Sequence, residues 1–366
     1  MQHSDTITTM DRTSVLLLFG GESSEHDVSI SSARNVYAAI DDEKFEVILG
    51  YIDRDGKWWL LDSFGMQIET HGALQLLPAL GMKGFVTLPE QRIIQPDVIL
   101  PILHGRGGED GSVQGLAQLV HIPIVGCDTT ASAVGFDKIK TKEVLSAHAI
   151  TIVPYEVHHA SDATPEFNRL SMTLGSPLFV KPARAGSSVG VSKVYSEDEL
   201  NVALKTAHEH SADVLIEQAI TARELEVGVL GTPPRHHVTN VGEVLSDADF
   251  YTYDDKYKDG TSSVAIPAAI EPSMSHKIQA LSSRIYEILG CKGLSRIDFF
   301  LSDDGTLYLN EVNTMPGFTN ISMYPKLWRD SGISYPELIE QLISDALAVD
   351  ATIGIPEQTQ LTEETV

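Results

Sequence analysis

Apolar positions in the first third of the chain follow a strand–helix–strand rhythm. Residues 15–19 (Val-Leu-Leu-Leu-Phe) form a short, continuously apolar run stopped by Gly20 and Gly21, after which Ala33, Val36, Tyr37 and Ile40 recur at helical spacing. Residues 45–52 predict a second strand with an Asp55-Gly56 turn beyond it. Residues 97–103 predict a buried strand ending at His104-Gly105, and 122–126 a fourth strand. The stretch 61–92 carries no clear period. Strands alternating with helices predict an open parallel or mixed sheet with ligand groups at the strand ends.

From about residue 137 the pattern changes. Residues 138–149 predict a helix, 178–181 a strand feeding a Gly/Ser-rich loop, and 214–218 and 226–230 further strands, which together suggest an α+β unit. A third region begins near 219. It holds a polar aromatic loop (247–263), a helix (276–289) and a hairpin, 295–301 with 306–312, around Asp303-Asp304-Gly305. The last fifteen or so residues are acidic and poor in apolar side chains, the composition of a frayed tail. The expected division is therefore 14–136, 137–218 and 219–350, with a tail over 351–366.

Composition narrows the function. The 366 residues fit roughly two to three domains. With 26 Lys+Arg against 51 Asp+Glu, a net charge of −25, the surface repels nucleic acid and anionic lipid, so neither is an expected partner. An anionic ligand fits only where the few cations gather. Two cysteines, Cys127 and Cys291, do not make a disulfide framework or a thiolate metal site. No apolar run approaches the roughly 20 residues that span a bilayer, and a soluble cytoplasmic protein is the expectation.

The C-terminal hairpin offers chemistry. Arg296 and Asp298 share one strand face, Ile297 and Phe299 the other, and Glu311 and Asn313 share a face of the partner strand. If the pairing joins those faces, one patch holds Asp, Glu, Asn and Arg over an apolar backing. Two carboxylates ~4 Å apart repel by about 4 kcal/mol at an effective dielectric near 20. A cation such as Mg²⁺, which favours oxygen ligands, would relieve this. An Arg296–Asp298 ion pair with Glu311 in solvent would explain either motif alone; the two together, followed by Thr314-Met315-Pro316-Gly317, favour the metal.

The segment from Lys181 to Gly190 follows a strand. Its glycines let backbone N–H groups approach an anion, and Ser187 and Ser188 add donors. The chain contains neither G-x-x-x-x-G-K-[ST] nor G-x-G-x-x-G, so it is not a Walker-type or dinucleotide-fold protein by motif. Lys138 is a second candidate cation. Glu217 and Glu224, near strand ends, could accept hydrogen bonds from a ribose or an amino group, although exposed glutamates there are ordinary.

Taken in order, six segments resemble the ATP-grasp superfamily and, within it, the D-alanine–D-alanine ligase family. They are the Gly20–His26 run, the His104–Gly111 run, Phe179-Val180-Lys181-Pro182, Gly186-Ser187-Ser188-Val189-Gly190, Arg296-Ile297-Asp298, and Asn310 through Gly317. The resemblance implies a three-domain ATP-grasp fold, α/β and α+β, with an N-terminal open α/β domain and ATP bound between the central and C-terminal domains. It implies ATP-dependent joining of two D-alanines through an acyl phosphate, for peptidoglycan precursor and cell-wall synthesis.

Motif by motif, the resemblance assigns Lys138, Lys181 and Ser188 to phosphates, with Lys256 from the 247–263 lid. Glu217 and Glu224 go to adenine and ribose, and Asp298, Glu311 and Asn313 to two Mg²⁺ (or Mn²⁺). Glu25 would bind the first substrate's ammonium, linked through Ser187 to Tyr257, with His104 nearby. Arg296 and the Gly317 N–H would stabilise the oxyanion, and Ser322 and Met323 the second substrate's carboxylate. A homodimer is also implied. Alternatives are the same fold with D-lactate or D-serine as acceptor, which the Lys256-Tyr257 pair disfavours, and a nucleotide-binding module without turnover.

Overall fold

The computed structural model describes residues 12–245 and 263–353. Lys256, Tyr257, most of the expected lid and residues 354–366 of the expected 351–366 tail lie outside them, while 351–353 continue the last helix instead of fraying. The first sheet has seven strands in the order β6-β5-β4-β3-β2-β1-β7. They are β1 (Thr13–Gly20), β2 (Phe45–Ile52), β3 (Trp58–Leu61), β4 (Leu74–Ala79), β5 (Gly84–Leu88), β6 (Ile93–Ile94) and β7 (Val98–Ile102). β1 pairs in parallel with β2 and β7, and from β2 outward the pairing is antiparallel, so the sheet is mixed.

The unbroken apolar run of β1 follows from burial on both faces. Val15, Leu17 and Phe19 enter one core, against α1 (His26–Ala39), while Leu16 and Leu18 enter the other, against α2 (Ser112–Val120). The unpatterned stretch is the antiparallel extension β3–β5, where roughly half the side chains are part-exposed and alternation is blurred. The expected strand at 122–126 is only a bridge: Ile99 N–H donates to the Pro123 carbonyl (2.8 Å) and Val125 N–H to the Ile99 carbonyl (2.9 Å). Pro123 has no N–H to extend a ladder, and Gly126 turns the chain away at φ +106°.

Two helices follow, α3 (Thr129–Phe136) and α4 (Lys138–Ala147). Asp137 starts α4 by accepting from Ile139 N (3.0 Å) and Lys140 N (3.1 Å), which sets Lys138 at its first turn. The second sheet, in the order β10-β9-β11-β8, is built from β8 (Tyr155–His159), β9 (Leu178–Pro182), β10 (Ser192–Val194) and β11 (Asp213–Gln218). Helices α5 (Phe167–Leu174) and α6 (Glu197–His208) bury one of its faces. Ile139 of α4 packs on Leu215 and Ala183 at the other.

The third sheet comprises β12 (Ala222–Leu230), β13 (His237–Val238), β14 (Gly242–Leu245), β15 (Ser263–Ala265), β16 (Leu294–Ser302) and β17 (Leu307–Asn313). Leu225, Val227, Ile297, Phe299, Leu309 and Val312 back it against α7 (Pro272–Ile288). α8 (Met323–Asp330) and α9 (Tyr335–Ile353) close the described chain. Leu338, Ile339, Leu342 and Ile343 of α9 join the core beneath β1 and β7, so the last described helix seals the first sheet. Among the described residues no helix is long and apolar enough to cross a membrane.

Candidate active site

A cleft lies where the second sheet, the third sheet and α4 converge. Its lining includes Glu109, Lys138, Lys181, Gly186, Ser187, Ser188, Glu224, Glu311 and Asn313, and it encloses about 930 Å³ including its mouth. Seven of these were expected from the sequence as catalytic, phosphate, nucleotide or metal groups, and the fold gathers them from elements 175 residues apart.

On one wall, register joins the two halves of the hairpin. Asp298 faces Glu311 and Arg296 faces Asn313, with a bulge after Asp298 that leaves Asn310 extra on β17. Such a bulge re-aims the flanking side chains, and Asn310 and Glu311 both line the cleft. Arg296 donates through Nε to Asp298 Oδ1 (2.8 Å) and through Nη2 to Oδ2 (2.7 Å). It also pairs with Glu226 Oε2 at 2.8 Å. The expected shared face and the simple ion pair are thus both present. Three carboxylates (Glu226, Asp298, Glu311) surround one guanidinium, an excess of negative charge that Lys138, 3.8 Å from Glu311, only partly offsets.

Asn313 Nδ2 donates to Asp298 Oδ2 at 2.9 Å. Turned over, the same amide presents its oxygen instead. Among the described residues no three His, Cys, Asp or Glu side chains form a self-contained metal cage. The donors are hard oxygens and the charge is in excess, so the set fits a Mg²⁺-like ion that keeps water and takes phosphate oxygens.

The opposite wall is cationic. Glu217, buried on β11, has Lys142 Nζ 3.0 Å from Oε1 and Lys181 Nζ 2.7 Å from Oε2. Burial alone would push its carboxyl up, but Lys142 and then Lys181 override that and hold it down at about 2. Glu217 therefore turns to the lysines and does not line the cleft, unlike Glu224. Lys138 Nζ donates to the Ala185 carbonyl at 2.7 Å, tying α4 to the Gly/Ser loop.

That loop carries Ser187 and Ser188 at φ +48° and +59°, a left-handed conformation uncommon for non-glycine residues and typical of functional loops. It brings Ser187 Oγ to donate to Glu25 Oε1. Glu25 precedes α1 without capping it; its carboxylate is buried against the loop. A Cβ at Gly186 would stand 2.6 Å from Glu25 Oε2 and one at Gly105 2.9 Å from it, so either would push the Glu25 carboxylate aside, and Gly105 at φ +76° also has a backbone that favours glycine.

Next to them Glu109 accepts from Gly105 N–H (3.0 Å). Its carboxyl is pushed up to about 8 by loss of solvent and by the Glu25 charge. His104 Nε2 lies 3.1 Å from Ser32 Oγ, and burial lowers its basicity, which keeps it neutral. Ser322 and Met323 sit away from the cleft lining: Ser322 Oγ accepts from Thr319 N–H (3.1 Å), and Met323 is buried toward Gly242. Gly317 lies in the loop between β17 and α8.

The family models described as D-ala D-ala ligase N-terminus and D-ala D-ala ligase C-terminus match residues 14–127 and 144–344. The chain belongs to the D-alanine–D-alanine ligase family. It is 42% identical over 353 residues to D-alanine–D-alanine ligase A of Escherichia coli, covering 92% of this chain and 96% of that protein. It is 41% identical over 354 residues to the D-alanine–D-alanine ligase of Geobacillus thermodenitrificans, with the same coverage. The D-alanine–D-alanine ligase structure from Coxiella burnetii superposes with a TM-score of 0.85 at 32% identity, covering 94% of this chain and 96% of that one. A D-Ala:D-Ser ligase from Enterococcus faecalis superposes at 0.81 with 34% identity, covering 92% and 99%.

Within this ATP-grasp family frame, three charged groups of the site were not singled out from sequence. Lys142 is one helical turn after Lys138, so i,i+4 spacing from a candidate cation was the available signal. Glu226 lies opposite Asp298 in the β12–β16 register, which only the pairing reveals. Glu109 sits inside the His104–Gly111 segment but carried no distinguishing pattern.

Proposed function

We propose that the chain catalyses ATP-dependent ligation of two D-alanine molecules to D-alanyl-D-alanine, releasing ADP and phosphate, as a cytoplasmic step of peptidoglycan precursor synthesis. One observation carries the reading: a buried carboxylate from the first unit, Glu25, meets the loop residue Ser187 at a cleft lined by Lys138 and Lys181 on one side and Glu311 on the other. A carboxylate able to take an ammonium thus adjoins cations able to take phosphates, which supports a reaction between an amino acid and a nucleotide.

In this reading Glu25 accepts the ammonium of the first D-alanine, and a carboxylate oxygen of that D-alanine attacks the γ-phosphorus as ADP leaves. Lys138, Lys181 and the loop at Ser187–Ser188 oppose the charge of the phosphates, and Glu224 serves the nucleoside side; Glu217, expected there from the resemblance, has its carboxylate turned to Lys142 and Lys181 instead and acts by holding Lys181. The amine of the second D-alanine then attacks the acyl phosphate carbon, and the C–O bond breaks as phosphate departs and takes up the amine's proton. Arg296 and the Gly317 N–H are assigned to the oxyanion, where preorganised donors contribute most. Ser322 and Met323 are assigned to the second carboxylate, His104 to the surroundings of the first substrate. Mg²⁺ or Mn²⁺, two ions by family resemblance, would be held by Asp298, Glu311 and Asn313 and would offset phosphoryl charge. Lys256 and Tyr257 are proposed lid residues, and a homodimer the proposed assembly.

The test is to mix purified protein with ATP, Mg²⁺ and D-alanine, with D-serine and D-lactate as competitors, and follow ADP and products. D-alanine-dependent ADP release with dipeptide as main product is expected. ATP binding without D-alanine-dependent turnover would contradict the reading, and a dominant ester or mixed dipeptide would reassign the acceptor.

A further inference from the structure

Lys142 lies wholly inside the protein, 2% exposed, where a lysine is costly unless its charge is used. It shares a face of α4 with Lys138 at i,i+4 spacing, but points behind the cleft wall and does not line it. Glu217 and Lys181 belong to adjacent strands of the second sheet, with Leu215 opposite Lys181 and Glu217 opposite Phe179, which makes them diagonal neighbours on one face. Tyr155, opposite Glu217 on its other side, supports Lys142 Nζ at 5.5 Å from its ring centre. Among the described residues Glu217 is the only carboxylate within ion-pair distance of Lys142.

Lys181 reaches the cleft, yet its ammonium is 2.7 Å from Glu217. As a pair the two are neutral, and a phosphate approaching Lys181 would meet a dipole. Lys142 lies 3.0 Å from the other oxygen of Glu217; burial lowers its basicity and the Glu217 charge works against that, and as an ammonium it gives the group a net single positive charge in a place that water and salt screen poorly.

We propose that Lys142 is a positioning residue for nucleotide binding: by taking up the charge of Glu217 it leaves Lys181 both fixed and effectively cationic toward a phosphate. The inference rests on the reading above that Lys181 meets a phosphate of ATP. It concerns a residue that touches neither substrate.

The experiment compares wild type, Lys142→Met and the double variant Lys142→Met/Glu217→Gln. ATP and adenosine affinities are measured by competition against a fluorescent nucleotide, and KM values by turnover. Lys142→Met is expected to weaken ATP by about tenfold or more, as loss of one close, poorly screened charge implies, and to raise the KM for ATP with that for D-alanine unchanged. Adenosine affinity should stay within about twofold, because it carries no phosphate. The double variant restores the net charge and should recover most of the ATP affinity relative to adenosine.

Parallel loss of ATP and adenosine, no loss of either, or a double variant no better than the single one would overturn the proposal. Should Lys142→Met fail to fold, Glu217→Gln alone decides: the ratio of ATP to adenosine affinity is expected to rise above wild type, and an unchanged or lower ratio would refute the charge argument. A wild-type protein that binds no ATP would remove the functional reading itself, whereas normal wild-type binding with an indifferent Lys142→Met removes only this inference.

Discussion

The two walls of the cleft use one device with opposite sign. On the α4 side an anion, Glu217, is held between two cations, Lys142 and Lys181. On the hairpin side a cation, Arg296, is held between two anions, Glu226 and Asp298, with Glu311 beside them. A central counter-charge fixes the outer groups in place, and the surplus charge remains for a ligand. One wall is left positive, suited to phosphate, and the other negative, suited to a metal cation. The contrast shows how a chain of net charge −25 can present an anion site: the few cations are concentrated and one of their own acids is buried among them.

The largest expected effect is on the negative wall. Asp298→Asn or Glu311→Gln should lower turnover by about 10²–10³ or more, the scale of losing a preorganised charge, with the thermal transition still cooperative. Measured kcat near wild type in either variant would mean this wall does not serve the reaction. Stripping divalent ions with a chelator should stop turnover in the native enzyme, and Mg²⁺ should restore it.

At the junction of the walls, Glu25→Gln should raise the KM for D-alanine by about tenfold or more, as expected for a lost charged hydrogen bond, with little change in the KM for ATP. Gly186→Ala should act in the same direction with little change in Tm, because the added Cβ would stand 2.6 Å from Glu25 Oε2, the movable end of a side chain. Equal shifts in both KM values would detach Glu25 from the amino-acid subsite.

Smaller effects separate the walls by pH. Glu217 is held at about 2, below an ordinary glutamate, so its contribution to stability is complete above the unfolded value near 4.3 and drains away as pH falls toward 2. Glu217→Gln should flatten that acid limb of the Tm profile. Glu109 has the opposite sign: raised to about 8, it keeps a proton in the folded chain that the unfolded chain has released, so it costs stability as pH rises from about 4.3 toward 8. Glu109→Gln should raise Tm by about 2–4 °C at pH 8 and change it little at pH 4. A Tm difference independent of pH would mean Glu109 is not strained by its surroundings.

Local pattern made much of this readable in the sequence. β1, β2, β7 and the C-terminal hairpin were legible because burial on one or both faces dictates their residue types, and β2 matches its expected bounds, 45–52. The antiparallel extension β3–β5 was not, since its partly exposed side chains leave no period. The bridge at 122–126 reads as a strand until Pro123 and Gly126 are weighed as stops. Site residues in Gly-rich or alternating motifs, such as Ser187, Asp298 and Glu311, could be named beforehand. Glu226 could not, because its meaning lies in what faces it across a strand–strand contact, and Lys142 offered only its i,i+4 spacing from Lys138, its partner Glu217 lying across a helix–sheet contact.

The most direct test is a crystal structure with a non-hydrolysable ATP analogue, Mg²⁺ and D-alanine. The account predicts the phosphoryl tail between Lys138 and Lys181 on one side and the metal-bearing Asp298 and Glu311 on the other, with the amino-acid ammonium on Glu25. A nucleotide bound elsewhere, or phosphates turned away from the hairpin, would contradict it.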